Sequence, residues 1–234
     1  MLQEDSRVSL TEALATSISA VADMHRATCD LSHPGTPSAA VAIVRKIGPE
    51  RWEYAVLGDV TVVFAAPDGP VVVADTRISS SASAERSEAD RWLIGSPEKE
   101  AAMVAMKHEE LAARNRVYWI AAADPRAASH ALTGDVADVT RIAILTDGAA
   151  RAQTFGLLSW QEVLDTLNAE GPRQLINRVR EAEASDPDGR RWPRNKKSDD
   201  ATAVYINWLG GTTDSKDDEV FRRSLRANLR ALGR

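Results

Sequence analysis

Two acidic stretches hold the residues best suited to chemistry. Ile142-Ala143-Ile144-Leu145-Thr146-Asp147-Gly148 reads as a buried strand that stops on an Asp-Gly. Ser198-Asp199-Asp200-Ala201-Thr202-Ala203-Val204-Tyr205-Ile206 reads as a turn with two carboxylates that opens another buried strand. If those strands are neighbours, Asp147 and Asp199 meet at one end of a sheet. Carboxylates so placed suit a hard divalent cation, because Mg²⁺ and Mn²⁺ prefer oxygen ligands. A cation there can activate water for phosphate-ester hydrolysis. Alone, Asp147-Gly148 is equally an ordinary turn, since Asp-Gly is favoured for backbone reasons.

These stretches need elements to hold them. Ser9-Leu10-Thr11-Glu12 is a capping box, and Leu10, Leu14, Ile18 and Val21 recur at helical spacing, predicting a helix over 10–28. His33-Pro34-Gly35-Thr36-Pro37 breaks it. Strand-like runs follow at 38–45, 52–57, 61–65 and 71–74; the last two are joined by Pro67-Asp68-Gly69-Pro70, a hairpin signal. Their close spacing predicts an antiparallel meander. The Ser/Ala-rich stretch 79–84 reads as a mobile loop. Ser96-Pro97 starts a helix to about Arg114. Strands are expected at 117–123, 142–146 and 201–208. A second capping box, Ser159-Trp160-Gln161-Glu162, opens a helix that Gly171-Pro172 ends, and another helix spans 173–184. Gly210-Gly211-Thr212-Thr213 reads as a linker to a short amphipathic basic helix carrying Phe221, Leu225, Leu229 and Leu232. The domain therefore spans 1–209, with 210–234 appended. Strands, intervening helices and acidic strand ends suggest an α+β layered fold.

Composition narrows the function classes. The chain has 234 residues, enough for one domain with a substantial core. Its net charge of −5 disfavours a general nucleic-acid or anionic-membrane surface. No apolar run approaches a membrane span. The N-terminus, with Glu4 and Asp5, is polar, unlike a signal peptide, so the cytoplasm is the expected compartment. Cys29 is the sole cysteine, which excludes an intramolecular disulfide and a thiolate cluster. His25, His33, His108 and His130 lack metal-ligand spacing. No nucleophile elbow, Walker loop or dinucleotide fingerprint occurs.

Several segments together resemble the PP2C family of metal-dependent serine/threonine phosphatases, and in particular divergent PP2C-like proteins of actinobacteria. Gly35-Thr36-Pro37-Ser38-Ala39-Ala40-Val41 stands where the family has a Gly-Ser-Thr-Ala strand start. Leu57-Gly58-Asp59-Val60 is similar to its Gly-Asp-Ser turn, with Val60 for Ser, and Val73-Ala74-Asp75-Thr76-Arg77 to its Thr-Asp-Asp-Arg strand end. Leu145-Thr146-Asp147-Gly148 and Asp199-Asp200-Ala201-Thr202 are similar to its two C-terminal metal turns. The likeness runs over 9–208. It implies a four-layer α-β-β-α sandwich of antiparallel sheets with a two-metal cleft. It further implies Asp147 and Asp199 as ligands of one metal, Asp59 as a ligand of an accessory metal shared with Asp147, and a metal-bound hydroxide attacking phosphoserine or phosphothreonine. On the residues alone, Asp59 is as good a turn residue as a ligand, and Asp75 is better read as a turn or salt-bridge residue.

The chain departs from the family at its start. Two strands, carrying a phosphate-binding Arg and further acidic ligands, precede the first long helix in the family; here the helix begins near Leu10. The domain is therefore expected to be N-terminally shortened, with an uncovered sheet that favours self-association. The run Arg190-Arg191-Trp192-Pro193-Arg194-Asn195-Lys196-Lys197 is open to three readings: a solvated loop, a nucleic-acid patch, or a loop holding a substrate phosphate through Arg194 and Lys196 in place of the missing Arg. The expectation is a Mg²⁺- or Mn²⁺-dependent protein phosphatase acting on a phosphoprotein, with no nucleic-acid or membrane partner. The alternative is a catalytically inactive signalling or interaction domain on the same fold.

Overall fold

The structure is a computed structural model and describes residues 8–208. The first element, α1 (Leu10–His25), starts on the expected capping box. Ser9 Oγ accepts from the Glu12 N–H, and the Glu12 carboxylate accepts from the Ser9 N–H. Its apolar stripe of Leu10, Leu14, Ile18 and Ala22 is buried. The strands are β1 (Val41–Lys46), β2 (Trp52–Leu57), β3 (Thr61–Ala66), β4 (Gly69–Ala74), β5 (Leu132–Val136), β6 (Arg141–Leu145) and β7 (Ala203–Asn207). The remaining helices are α2 (Arg77–Ser81), α3 (Ser83–Ala89), α4 (Pro97–Ala113), α5 (Asp147–Thr154), α6 (Trp160–Glu170) and α7 (Pro172–Ser185), with a 3₁₀ turn over Pro125–His130.

The strands form two antiparallel sheets, one ordered β1-β2-β5 and the other β4-β3-β6-β7. Three apolar clusters define the layers. Leu14 and Ile18 of α1 pack with the 3₁₀ turn on Leu57, Val41 and Ile43 of the first sheet. Trp52, Val56, Val62, Phe64, Val73 and Ile142 fill the space between the sheets. Val63, Ala143 and Leu145 meet Val163, Leu164, Leu167, Leu175 and Val179 beneath α5–α7. The fold is an α+β sandwich with helices outside both sheets. Among the described residues, β1 and β7 each pair with one neighbour only, and no helix is long and apolar enough to cross a membrane.

Three local expectations are corrected, and one strand is added. The first four strands do not form one meander: β1 pairs with β2 and β3 with β4, but the chain changes sheet between β2 and β3. Gly58 makes that crossing, at φ +87, where a Cβ would lie 2.9 Å from that of Ala40. Residues 79–84 fall mostly in α2 and α3 rather than a loop; the hydroxyls of Ser79 and Ser80 bond back to the Thr76 carbonyl. Residues 117–123 make no named strand, only bridges from Tyr118 to Arg114 and from Ala121 to Ala39. The Asn115 side chain takes the Ile120 N–H that a ladder would use. Finally, β5 escapes the hydrophobic pattern because Gly134 and Asp135 interrupt it; Gly134 lets the Tyr54 side chain lie over it, since a Cβ there would lie 2.6 Å from the Tyr54 hydroxyl oxygen and force the ring to shift. The acidic N-terminus at Glu4-Asp5, the linker at 210–213 and the amphipathic helix expected beyond it lie outside the described residues.

The layer between the sheets sets the stability. Phe64 is fully buried there, so Phe64→Ala is expected to cost about 3–5 kcal/mol. Val204, 47% exposed on β7, is expected to tolerate Ala within about 0.5 kcal/mol. Urea denaturation of both variants checks the contrast.

Candidate functional site

The site is built where β6 ends and β7 begins. The two strands pair antiparallel, from Arg141 opposite Asn207 to Leu145 opposite Ala203. Just beyond, the Thr146 N–H donates to the Thr202 carbonyl at 3.1 Å, and the Thr202 N–H donates to Thr146 Oγ1 at 2.9 Å. This clasp holds residue 147 beside the 199–201 turn. The approach is close: a Cβ on Gly148 would lie 2.3 Å from the Asp200 carbonyl oxygen. Glycine is needed here for lack of a side chain, not for a special dihedral.

Asp147 is the first residue of α5, not a turn residue as its Asp-Gly suggests. Its carboxylate accepts the Gly148 N–H at 2.8 Å and makes no ion pair among the described residues. Asp147 is exposed as a residue, but desolvation of its carboxyl by the surrounding atoms raises it above the ordinary range against the Gly148 N–H; the charges of Asp199 and Asp59 push it further and that of Arg151 draws it back. β6 and β7 are neighbours, and the charge of Asp199 is felt at Asp147. Asp59 lies on the crossing from β2 to β3, exposed, with its charge felt at Asp147.

Asp199 sits among cations. Its Oδ2 accepts from Arg151 Nη2 at 3.3 Å, and its Oδ1 accepts from Lys196 Nζ at 2.5 Å and from the Asp200 N–H at 3.0 Å. Arg180 Nη2 donates to its backbone carbonyl at 2.5 Å. Both arginines are anchored on Glu183, whose side chain is 1% exposed: Arg151 Nη1 donates at 2.5 Å and Arg180 Nη1 at 2.7 Å. Burial would raise the Glu183 carboxyl, but the hydrogen bonds from Arg180 and Arg151 outweigh it and hold the group below its ordinary range. Sequence reasoning missed Arg151, Arg180 and Glu183. The available signal was helical spacing: Arg151 lies four residues after Asp147 on α5, and Glu183 three after Arg180 on α7.

The two basic candidates part company. Arg194 is buried, its side chain 4% exposed. Its guanidinium donates to Asp186 Oδ2 at 2.9 Å and to the carbonyls of Glu183, Asp186, Trp192 and Lys197. Asp186 also accepts the N–H groups of Arg190, Arg191 and Trp192, which closes the loop on itself. Arg194 is a loop staple, and the expectation that it holds a substrate phosphate is overturned because no donor is left for one. Trp192 stacks on Phe155 with ring centroids 5.1 Å apart, and Arg191 lies over Trp192. Lys196, 60% exposed, stays at the mouth of the site.

Asp147 is an exposed residue whose carboxylate makes no ion pair among the described residues, although the charge of Arg151 reaches it. Among the described residues, no three His, Cys, Asp or Glu side chains cluster closely enough to cage a metal. Mg²⁺ commonly makes do with one or two carboxylates and keeps several waters; here the two carboxylates are Asp147 and Asp199, the second already held by Arg151 and Lys196. Asp59 does not complete a three-donor group.

No family model and no curated protein sequence matches the chain. Among solved structures it is similar to a bacterial serine phosphatase bearing a point mutation. The identity is 11% and the TM-score 0.42, over 90% of this chain and 75% of that one. That likeness is too slight to establish a shared fold or function.

Two outcomes follow from the geometry. Arg194→Ala leaves Asp186 without its guanidinium and is expected to cost about 3–5 kcal/mol in a chemical melt; a loss below about 1 kcal/mol would contradict the staple. The raised carboxyl of Asp147 favours the fold at low pH, and that stability is lost as pH rises through the raised value, above the usual 3.8. In EDTA, Asp147→Asn is therefore expected to raise Tm at pH 7, with the gain shrinking toward pH 4.

Proposed function

We propose that this chain acts as a phosphatase of the PP2C type, hydrolysing phosphoserine or phosphothreonine in proteins with Mg²⁺ or Mn²⁺ as cofactor. The observation that carries this is the meeting of Asp147 and Asp199 at one sheet end, with Asp147 crowded by negative charge. The five family-like segments lend it support in their order along the chain. Asp147 and Asp199 would hold the cation, which supplies Lewis-acid stabilisation of charge on a phosphoryl oxygen. Asp59, whose charge reaches Asp147, adds negative charge that would favour cation entry. Lys196 provides an ammonium at the mouth for a substrate anion. A phosphoprotein in the cytoplasm is the proposed substrate, and the β1 and β7 edges offer surfaces for self-association.

A second reading is favoured by one specific observation. Asp199 already has two cationic partners, Arg151 and Lys196. A site neutralised by its own side chains suits a non-catalytic signalling or interaction domain.

Hydrolysis of p-nitrophenyl phosphate separates the two. Turnover is expected with Mn²⁺, to vanish in EDTA, and to fall at least about 10–100-fold in Asp147→Ala, the range seen when merely a metal ligand's supporting group is lost. Equal rates for the wild type and Asp147→Ala would favour the non-catalytic domain.

A further inference from the structure

One face of the first sheet is left partly open. The strand β1 is half-buried along its whole length, while β2 and β3 each bury most of their residues. Val41 and Ile43 of β1 pack toward α1, yet an open cleft of about 350 Å³ reaches down to them. Ile18 and Val21 of α1 form one wall, and Ala39 and Ala122 form the other. The lining is almost wholly apolar, and Val21 at its rim is 53% exposed. Nothing among the described residues fills it. With so few polar groups to orient a small molecule, such a cleft suits the apolar side chains of an amphipathic segment.

The chain itself carries a matching segment. Phe221, Leu225, Leu229 and Leu232 recur at helical spacing, and Arg222, Arg223, Arg226 and Arg230 fall outside that stripe. The segment is also tethered within reach. The described residues end at Trp208, whose ring lies beneath Lys46 Nζ at 3.2 Å and edge-on to Trp52. Lys46 is the last residue of β1, and β1 is an edge strand. From Lys46 back to Val41 is about 17 Å of strand. Residues 209–220, between Trp208 and Phe221, can span up to about 40 Å. That is enough to round the β1 edge and enter the cleft. A segment so tethered meets the cleft at an effective concentration of about millimolar, which favours it over a second copy of the chain.

We propose that the segment 221–232 docks in the cleft between α1 and β1 as an amphipathic helix. Phe221, Leu225 and Leu229 then lie against Val21, Val41 and Ile43, with the arginines toward solvent. The small side chains of Ala39 and Ala122 let a helix approach closely. The docked segment covers the apolar face that the described residues leave open. Its docking needs no cation at Asp147 or Asp199.

Disulfide trapping in the full chain tests this. Cys29→Ser first removes the native thiol, and melting curves check that each variant is folded. Val21 is exposed enough for Val21→Cys to be tolerated. It is paired either with Leu225→Cys, in the middle of the apolar stripe, or with Arg223→Cys, on the arginine face with almost the same tether. Docking predicts an internal bridge in the Leu225 pair, forming at least about ten-fold faster than in the Arg223 pair because bridging needs Cα atoms within about 7 Å. That rate is expected to be unchanged by dilution. Equal or reversed rates, or no bridge in either pair, overturn the docking. A bridge between chains that slows on dilution overturns it in favour of a second copy in the cleft.

Discussion

The site depends on one electrostatic constraint: two carboxylates held at the end of an antiparallel strand pair must have their mutual repulsion offset. The β6–β7 register fixes where Asp147 and Asp199 stand, and the Thr146–Thr202 clasp removes their freedom to move apart. Asp199 is compensated by Arg151 and Lys196, while Asp147 relies on a single N–H donor at the start of α5. The helix N-terminus favours a negative charge there, yet desolvation of the carboxyl still pushes it upward.

The rest of the structure supports that arrangement from below. The layer of α5–α7 packs its apolar faces on β3 and β6, which places the polar ends of α5 and α7 around the acidic turn. Arg151 on α5 and Arg180 on α7 then meet at Glu183, so the two helices are tied to each other and to Asp199 by one buried carboxylate. The loop after α7 is folded around Asp186 and Arg194, which delivers Lys196 to the site's edge. Packing sets the position and ion pairs set the charge.

Much of this was legible in the residues. Capping boxes at Ser9 and Ser159 mark helix starts because their reciprocal hydrogen bonds are local. The apolar runs of β3 and β6 stand out because both faces are covered. Asp147 and Asp199 could be named from two turns at strand boundaries. What escaped has long-range causes. The change of sheet at Gly58 depends on contact with Ala40. β5 depends on pairing with β2 rather than on its own pattern. Asp147 begins a helix because the chain turns back over the sheet, not because of its own dipeptide. Arg194 resembled Lys196 in sequence, and burial against Asp186 separates them. Glu183 is one acidic residue among many until the fold buries it between two arginines.

The central proposal is that Asp147 and Asp199 would hold a divalent cation. Its most direct test is a crystal of this chain grown with Mn²⁺, with diffraction collected to locate the anomalous signal of manganese. The account predicts a peak beside Asp147 and Asp199, with Arg151 still on Glu183. A map with no peak there, and Asp199 held by Arg151 and Lys196 alone, would contradict it.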